Sequence, residues 1–228
     1  MHTLMPDHFT IRSAESDAGL ANAELPELSG ARGVEFLARF DVADLLYSFG
    51  THNPGAVRLH NYPKFLQNLV QDNGERFDLG TIDILRDRER GVPRYNRFRR
   101  LLNKSPVRSF EELTDDPRWA AEIKHVYNND LEMVDTMVGL MAEPLPEGMG
   151  FSDTAFRIFL LMASRRLKSD RFLSQDYRPE IYTQRGIEWV EENSMKTVIS
   201  RHFPSIAFAM EGLDDDNAFK PWKVRAQR

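Results

Sequence analysis

The chain has 228 residues, enough for one or two domains of ordinary size. Its residues are 41% hydrophobic and 29% charged, with a mean hydropathy of −0.49, and this composition excludes disordered and collagen-like proteins. The chain contains no cysteine, so disulfides, thiolate zinc sites and iron–sulfur clusters are excluded. Any metal must therefore be bound by histidine or carboxylate side chains.

The net charge of −5 argues against a general binder of nucleic acid or anionic membranes. The most apolar stretch, residues 158–163, is far shorter than the roughly 20 residues that cross a bilayer. Residues 1–9 have neither the basic start nor the apolar run of a signal peptide. We therefore expect no transmembrane segment and, by default, a cytoplasmic location.

The spacing of apolar residues predicts a mainly α fold. Apolar side chains recur every three or four positions along most of the chain, and the strict alternation of a half-buried strand is rare. No internal repeat or second linker is visible, so we expect a single domain over residues 1–228. Glycine, proline and serine over residues 11–33 predict a loop region, and the acidic C-terminal stretch predicts a fraying tail over residues 213–228.

Helix start and stop signals define the individual elements. Asp78 and Ser152 are placed to cap helices, Ser109 opens a capping-box sequence, and Pro117 occupies a first helical position. The expected helices are, in chain order, residues 34–49, residues 62–70, residues 79–90, residues 95–102, one after Ser109, one from Pro117, residues 129–143, one from Ser152 to about Ser169, residues 184–192 and residues 194–202.

Several common catalytic motifs are missing from the sequence. It has no phosphate-binding loop, no Gly-x-Ser-x-Gly and no His-Glu-x-x-His. No two of its six histidines lie three or four positions apart, so a metal site on one helix is not indicated.

Seven arginines lie within residues 86–100, where Asp87 and Glu89 reduce the local charge to +5. One interpretation is a solvated helix face with ion pairs one turn apart. The other is a site for carboxylate or phosphate, which suits the planar fork of arginine. The stretch has few aromatic residues to stack on bases, so we expect no nucleic-acid partner.

A second basic pair, Arg165 and Arg166, follows the apolar part of the long helix. The helix dipole favours arginine in a last turn, which is enough to explain the pair. Adjacent residues on a helix point about 100° apart, so one of the two could face the interior. An arginine in that position would need an acidic partner or an anionic ligand.

Six stretches of the chain carry a resemblance to a known family: residues 2–7, 61–63, 86–96, 109–116, 138–143 and 170–172. The two most specific motifs are Arg-Asp-Arg-Glu-Arg-Gly-Val-Pro-Arg-Tyr-Asn at residues 86–96 and Leu-Met-Ala-Glu-Pro at residues 140–144. In this chain order the stretches resemble the animal haem peroxidase and cyclooxygenase superfamily, and are most similar to the fatty acid α-dioxygenases. The resemblance covers nearly the whole chain and implies the C-terminal portion of that α-helical fold.

The resemblance implies a haem site. His2 would be the proximal ligand of the haem iron, with its second ring nitrogen oriented by a hydrogen-bond acceptor. Asp83 occupies the position where the peroxidase branch has an asparagine, and would be that acceptor. The alternative for Asp83 is a surface acid that pairs with Arg86 or another neighbour. Arg86, one turn further on, would pair with a haem propionate.

The resemblance also implies a reaction, the insertion of dioxygen at the α-carbon of a fatty acid through a tyrosyl radical. Arg165 or Arg166 would bind the carboxylate of this substrate. The radical tyrosine, the distal histidine and the calcium-binding loop of the family correspond to positions before Met1. This sequence therefore carries no expected catalytic tyrosine and no expected calcium ligand.

Two hypotheses of different classes follow. In the first, the chain is part of a haem-dependent oxidoreductase of the fatty acid α-dioxygenase type, and the missing N-terminal half is its partner. In the second, it is a non-catalytic α-helical remnant that acts as a binding or interaction module. Uptake of haem that depends on His2 distinguishes them.

Overall fold

The computed structural model describes residues 2–70, 73–213 and 221–226, and within them the chain is mainly helical, as predicted. The α-helices are, in chain order, α1 Gly30–Leu37, α2 Val42–Thr51, α3 Lys64–Gln67, α4 Leu79–Glu89, α5 Tyr95–Leu101, α6 Phe110–Leu113, α7 Pro117–Val126, α8 Thr136–Ala142, α9 Asp153–Ser169, α10 Pro179–Tyr182, α11 Gln184–Glu192 and α12 Met195–His202. The antiparallel strand pairs are β1 His8–Arg12 with β2 Gly19–Glu24, and β3 Leu69–Val70 with β4 Arg76–Phe77. No helix in this described part of the chain is long and apolar enough to cross a membrane.

The predicted helix starts agree with the structure where a polar side chain caps the helix. Asp78 accepts a hydrogen bond from the Thr81 N–H at the start of α4, and Ser109 accepts one from the Glu112 N–H at the start of α6. Asp116 does the same for the first turn of α7, where Pro117 is the first helical residue. These caps satisfy backbone donors that have no partner within the helix.

Three predicted helices are wrong in extent. Residues 34–49 do not form one helix, because Asp41 caps the Ala43 N–H and begins α2 after α1 has ended. Residues 129–143 are interrupted, since Asp135 precedes α8 and uses its side chain for ion pairs. Residues 62–70 contain only the short α3, followed by β3.

The predicted loop over residues 11–33 is also wrong. It contains the end of β1, all of β2 and the start of α1. The turn between the strands is held by Asp17, which has a φ of 60° and accepts two hydrogen bonds from the Arg12 guanidinium, at 2.8 and 2.6 Å. Asp17 is buried and also accepts a hydrogen bond from Tyr47. A partly buried ion pair in the turn thus stabilises the hairpin, whose first strand alternates polar and apolar residues over His8–Arg12.

The chain forms two compact units. The first comprises the described residues within 1–6 and 55–163, and its core contains Tyr95, Val107, Phe110, Leu113, Ala120, Ile123, Val134 and Ala142. The second comprises those within 7–54 and 164–228, and its core contains Ala14, Tyr47, Ile206, Ala209, Met210 and Trp222.

The fraying tail predicted over residues 213–228 differs from the structure in its described part. Trp222 is buried in the core of the second unit, and its N–H donates to the Gly50 carbonyl over 2.9 Å. The Arg225 N–H donates to the Tyr47 hydroxyl. Residues 214–220 and 227–228 of the predicted tail lie outside the described residues.

Candidate functional site

His2 is held by the backbone of its own unit. It begins a short 3₁₀ turn, His2–Leu4, whose middle residue Thr3 is fully buried. The Thr3 carbonyl accepts a hydrogen bond from the Asn61 side chain, and the Leu4 carbonyl accepts one from the Gly55 N–H, both at 3.0 Å. A Cβ at Gly55 would lie 2.3 Å from the Thr3 carbonyl oxygen, so only glycine permits this approach.

The imidazole of His2 contacts two side chains through the same nitrogen. Its Nδ1 lies 3.3 Å from Oδ2 of Asp83 and 3.1 Å from the hydroxyl oxygen of Tyr62. A carboxylate can only accept hydrogen bonds, so the contact with Asp83 favours the tautomer that has its proton on Nδ1. The neutral ring then has its free lone pair on Nε2, which is the form of histidine that binds a metal.

Tyr62 completes this cluster from the segment that leads into α3. Its ring meets the His2 ring edge-on at 80°, with centroids 5.9 Å apart. Burial raises the pKa of Tyr62 to about 12, helped by the charges of Asp83 and Asp78 and by a hydrogen bond with Asp83. The phenol therefore keeps its proton at neutral pH and has it to donate.

The donor chemistry of the cluster fits a haem. None of the contacts of the described residues involves Nε2 of His2, and the side chain of His2 is 42% exposed, so this nitrogen is accessible to an iron. Within residues 2–70, 73–213 and 221–226, no three His, Asp or Glu side chains converge on a metal position. One accessible neutral imidazole suits the axial ligand of a porphyrin-held iron, whose other ligands come from the porphyrin.

Asp83 and Arg86 are one turn apart on α4 and have different surroundings. Asp83 is paired with His2 and not with Arg86, so the alternative of a surface acid paired with its helical neighbour is not what the structure shows. Arg86 is exposed, and the contacts described for the chain include no acidic partner for its side chain. Its role with a haem propionate stays a prediction.

The arginine-rich stretch is divided among internal ion pairs. Arg88 donates two hydrogen bonds to the buried carboxylate of Asp135 in a bidentate pair, at 3.0 and 2.6 Å. Arg94 pairs with the same carboxylate. Arg99 binds Glu143 at 3.1 Å and the Thr154 hydroxyl at 2.8 Å. Arg100 binds Glu132. These four arginines therefore have structural partners, which leaves Arg86, Arg90 and Arg97 as the exposed remainder.

Arg165 and Arg166 lie in the last two turns of α9, in the second unit, and both are exposed. Among the described residues neither has an acidic side-chain partner; Ser169 instead bonds to both backbone carbonyls. Earlier in α9, four consecutive apolar residues, Phe159 to Met162, are each about half exposed. A helix that is apolar on all sides is normally covered by other protein.

Sequence reasoning missed two functional or structural centres. It gave Tyr62 no role, because 60 positions separate Tyr62 from His2 and no local spacing links them. It also gave none to Asp135, which lies 47 positions from Arg88. The one available signal was that an arginine-rich segment must find acidic partners wherever it is partly buried.

Fold and site together define a mainly helical protein in which one half-exposed histidine contacts Asp83 and Tyr62. The chain belongs to the animal haem peroxidase family, which it matches over residues 1–212. It is 39% identical over 236 residues to alpha-dioxygenase PIOX of Oryza sativa, covering 97% of this chain and 38% of the rice protein. The corresponding figures for alpha-dioxygenase PIOX of Pisum sativum are 41%, 97% and 36%. The chain thus spans less than two fifths of these curated relatives.

Solved structures agree with this assignment. The crystal structure of the fatty acid alpha-dioxygenase of Oryza sativa has a TM-score of 0.88 and 38% identity, covering 99% of this chain and 39% of that one. The fatty acid alpha-dioxygenase of Arabidopsis thaliana has a TM-score of 0.86 and 37% identity, with 99% and 37% covered. The resemblance inferred from the sequence motifs is therefore confirmed.

Proposed function

We propose that this chain supplies the proximal haem ligand of a fatty acid α-dioxygenase, with the iron bound to Nε2 of His2. The observation that carries the proposal is the contact of Nδ1 with Asp83, 3.3 Å away, which leaves Nε2 as the metal-binding nitrogen. When bound, the haem supplies the oxidising chemistry that starts the reaction. His2 holds and orients the iron, Asp83 fixes the tautomer of His2, and Arg86 pairs with a propionate.

The proposed substrate is a fatty acid. A variant of the rice enzyme to which this chain is similar was solved with palmitic acid, and the named relatives are α-dioxygenases. Arg165 or Arg166 binds the carboxylate, since both are exposed cations with no acidic partner among the described residues. Dioxygen then adds at the α-carbon to give a 2-hydroperoxy acid.

The proposed partner is the N-terminal half of the dioxygenase, which supplies the radical tyrosine, the distal histidine and the calcium-binding loop. The exposed apolar residues Phe159 to Met162 support this, because such a surface is normally covered by other protein. The relatives have about three fifths of their length outside the part that matches this chain, and this remainder could supply the cover. The distal histidine would move the proton that peroxide cleavage requires, and a covered pocket would exclude water.

Titration of the purified chain with haem tests the metal site. We expect a Soret band with one haem per chain, and a fall in haem affinity of at least about 10-fold in His2→Ala, because the iron loses its axial ligand. Free imidazole should restore the band in that variant. The matched control is His60→Ala, which removes an exposed histidine of the same unit that is bonded to Glu122. Equal affinity in wild type and His2→Ala would exclude His2 and favour the non-catalytic remnant.

A further inference from the structure

The hydroxyl of Tyr62 lies between the two members of the proposed ligand pair. It is 3.1 Å from Nδ1 of His2, and that nitrogen is 3.3 Å from the Asp83 carboxylate. Nδ1 has one proton, so the proton is shared between a phenol oxygen and a carboxylate oxygen. The charge of Asp83 also acts on the phenol and raises its pKa, so the carboxylate faces both His2 and Tyr62.

The protons of this triangle can be assigned from the donors and acceptors present. A carboxylate can only accept hydrogen bonds, so Nδ1–H of His2 and O–H of Tyr62 are the two donors that can point to Asp83. The phenol oxygen accepts part of the Nδ1–H bond through its lone pairs. In this assignment no two donors or two acceptors face each other.

We propose that Tyr62 is a positioning residue that sets the strength of the hydrogen bond between His2 and Asp83. The phenol O–H neutralises part of the carboxylate charge, and the phenol oxygen takes part of the Nδ1–H bond. The imidazole is thereby kept less basic than a carboxylate alone would make it, and the basicity of an axial histidine tunes the iron that it binds.

The position of Tyr62 is fixed by its neighbours, so the hydroxyl is not free to leave the triangle. Its backbone carbonyl accepts a hydrogen bond from Gln67 in α3, and Pro63 follows it directly. On the other side its ring is 3.5 Å from the Cβ position of Gly80, in the first turn of α4. Helix α4, which carries Asp83, thus packs against the ring of Tyr62.

Nitrogen-15 NMR of the haem-free chain tests the proposal without any metal. The spectra are recorded at about pH 8.5, roughly two units above the ordinary histidine pKa of about 6.5. In Tyr62→Phe we expect the Nδ1 resonance of His2 to move downfield, because Nδ1–H is then donated to Asp83 alone. The matched control, Tyr177→Phe, removes a phenol bonded to Glu191 instead and should leave the resonance unchanged. An unchanged or upfield-shifted resonance in Tyr62→Phe overturns the proposal.

The haem-loaded chain gives a second measurement, which rests on the proposed function. In Tyr62→Phe the stretching frequency of the iron–histidine bond should rise and the Fe(III)/Fe(II) reduction potential should fall, because the imidazole becomes more basic. A phenol that only fills space predicts neither change, and their absence would contradict the proposal. If the chain takes up no haem but the Nδ1 resonance shifts as expected, the haem function fails and the role of Tyr62 stands.

Discussion

At the scale of single residues, the structure is organised by a few buried carboxylates. Asp135 has only about 5% of its side chain exposed, yet it bonds to Arg88, Arg94 and the Tyr127 hydroxyl. Burial raises the pKa of Asp135, but the bonds from Arg88 and Tyr127 and the charges of Arg94 and Arg88 outweigh it, so the pKa is lowered. A buried carboxylate with this many donors is stable only while it is ionised.

Replacing Asp135 by Asn should lower the free energy of unfolding at pH 7 by about 2–3 kcal/mol, since a buried carboxylate is lost from two ion pairs whose arginines stay partly exposed. The matched control is Glu122→Gln, which removes an exposed partner of His60 and should cost less than about 1 kcal/mol. Urea denaturation of both variants measures the difference. Equal losses would show that Asp135 has no special role.

The effect of Asp135→Asn on stability should depend on pH. A carboxylate whose pKa is lowered on folding stabilises the fold above its unfolded pKa of about 3.9, and this stabilisation is lost as the pH falls further. The gap in stability between wild type and Asp135→Asn should therefore narrow as the pH is lowered from 5 to about 2.5. A gap that stays constant over this range would show that ionisation of Asp135 is not its source.

At the scale of elements, close packing of α5 against α8 depends on a glycine. Gly139 in α8 faces Tyr95 in α5, and a Cβ at this glycine would lie 2.2 Å from two ring atoms of Tyr95. Tyr95 is fully buried, so its ring has no space into which to move. The two helices approach closely because one of them has no side chain at the contact.

Gly139→Ala should therefore destabilise the chain by about 1–3 kcal/mol through overpacking, even though alanine is the better helix former. Gly150→Ala is the control, because no atom lies within 4 Å of the Cβ position there and its φ is not positive. This control should change stability by less than about 0.5 kcal/mol. The melting temperatures of both variants measure the effect. A Gly139→Ala variant as stable as the wild type would contradict the prediction.

Sequence reasoning was reliable where the signal was local. The caps at Asp78 and Ser109 are single residues that bond to backbone within three positions, so the sequence predicted them. The break before α8 depends on the ion pairs of Asp135, which no periodicity expresses, whereas the first strand of the hairpin alternates over only five residues, too short a pattern to stand out. In the site, the motif resemblance named His2 and Asp83, which lie 3.3 Å apart and whose roles stay predictions, whereas Tyr62 required coordinates.

At the scale of the whole molecule, α9 exposes more apolar side-chain surface than a core helix does. Phe159, Leu160, Leu161 and Met162 follow one another around the helix and are 58%, 48%, 51% and 50% exposed. Isolated exposed apolar residues are common, but a continuous group marks a surface for other protein. This is the surface that we propose is covered by the N-terminal half.

Leu161→Glu should reduce the binding of the dye anilinonaphthalene sulfonate to the isolated chain and reduce its self-association, since it breaks the apolar group. The melting temperature should change little, because the residue is half exposed. Val126→Glu is the control, as it replaces a single exposed apolar residue of α7 that is 68% exposed. If both variants lower dye binding equally, α9 is not a distinct surface.

Helix α4 positions the carboxylate that contacts the imidazole of His2. It has no fully buried residue, and the bond from Arg88 to the buried Asp135 is one of the contacts that hold it. Asp83 is five residues, or about 7.5 Å, before Arg88 on the same rigid rod. The acceptor of His2 is thereby held at a distance that the carboxylate cannot adjust by itself. Loss of the ion pair between Arg88 and Asp135 would consequently move Asp83 relative to the imidazole of His2.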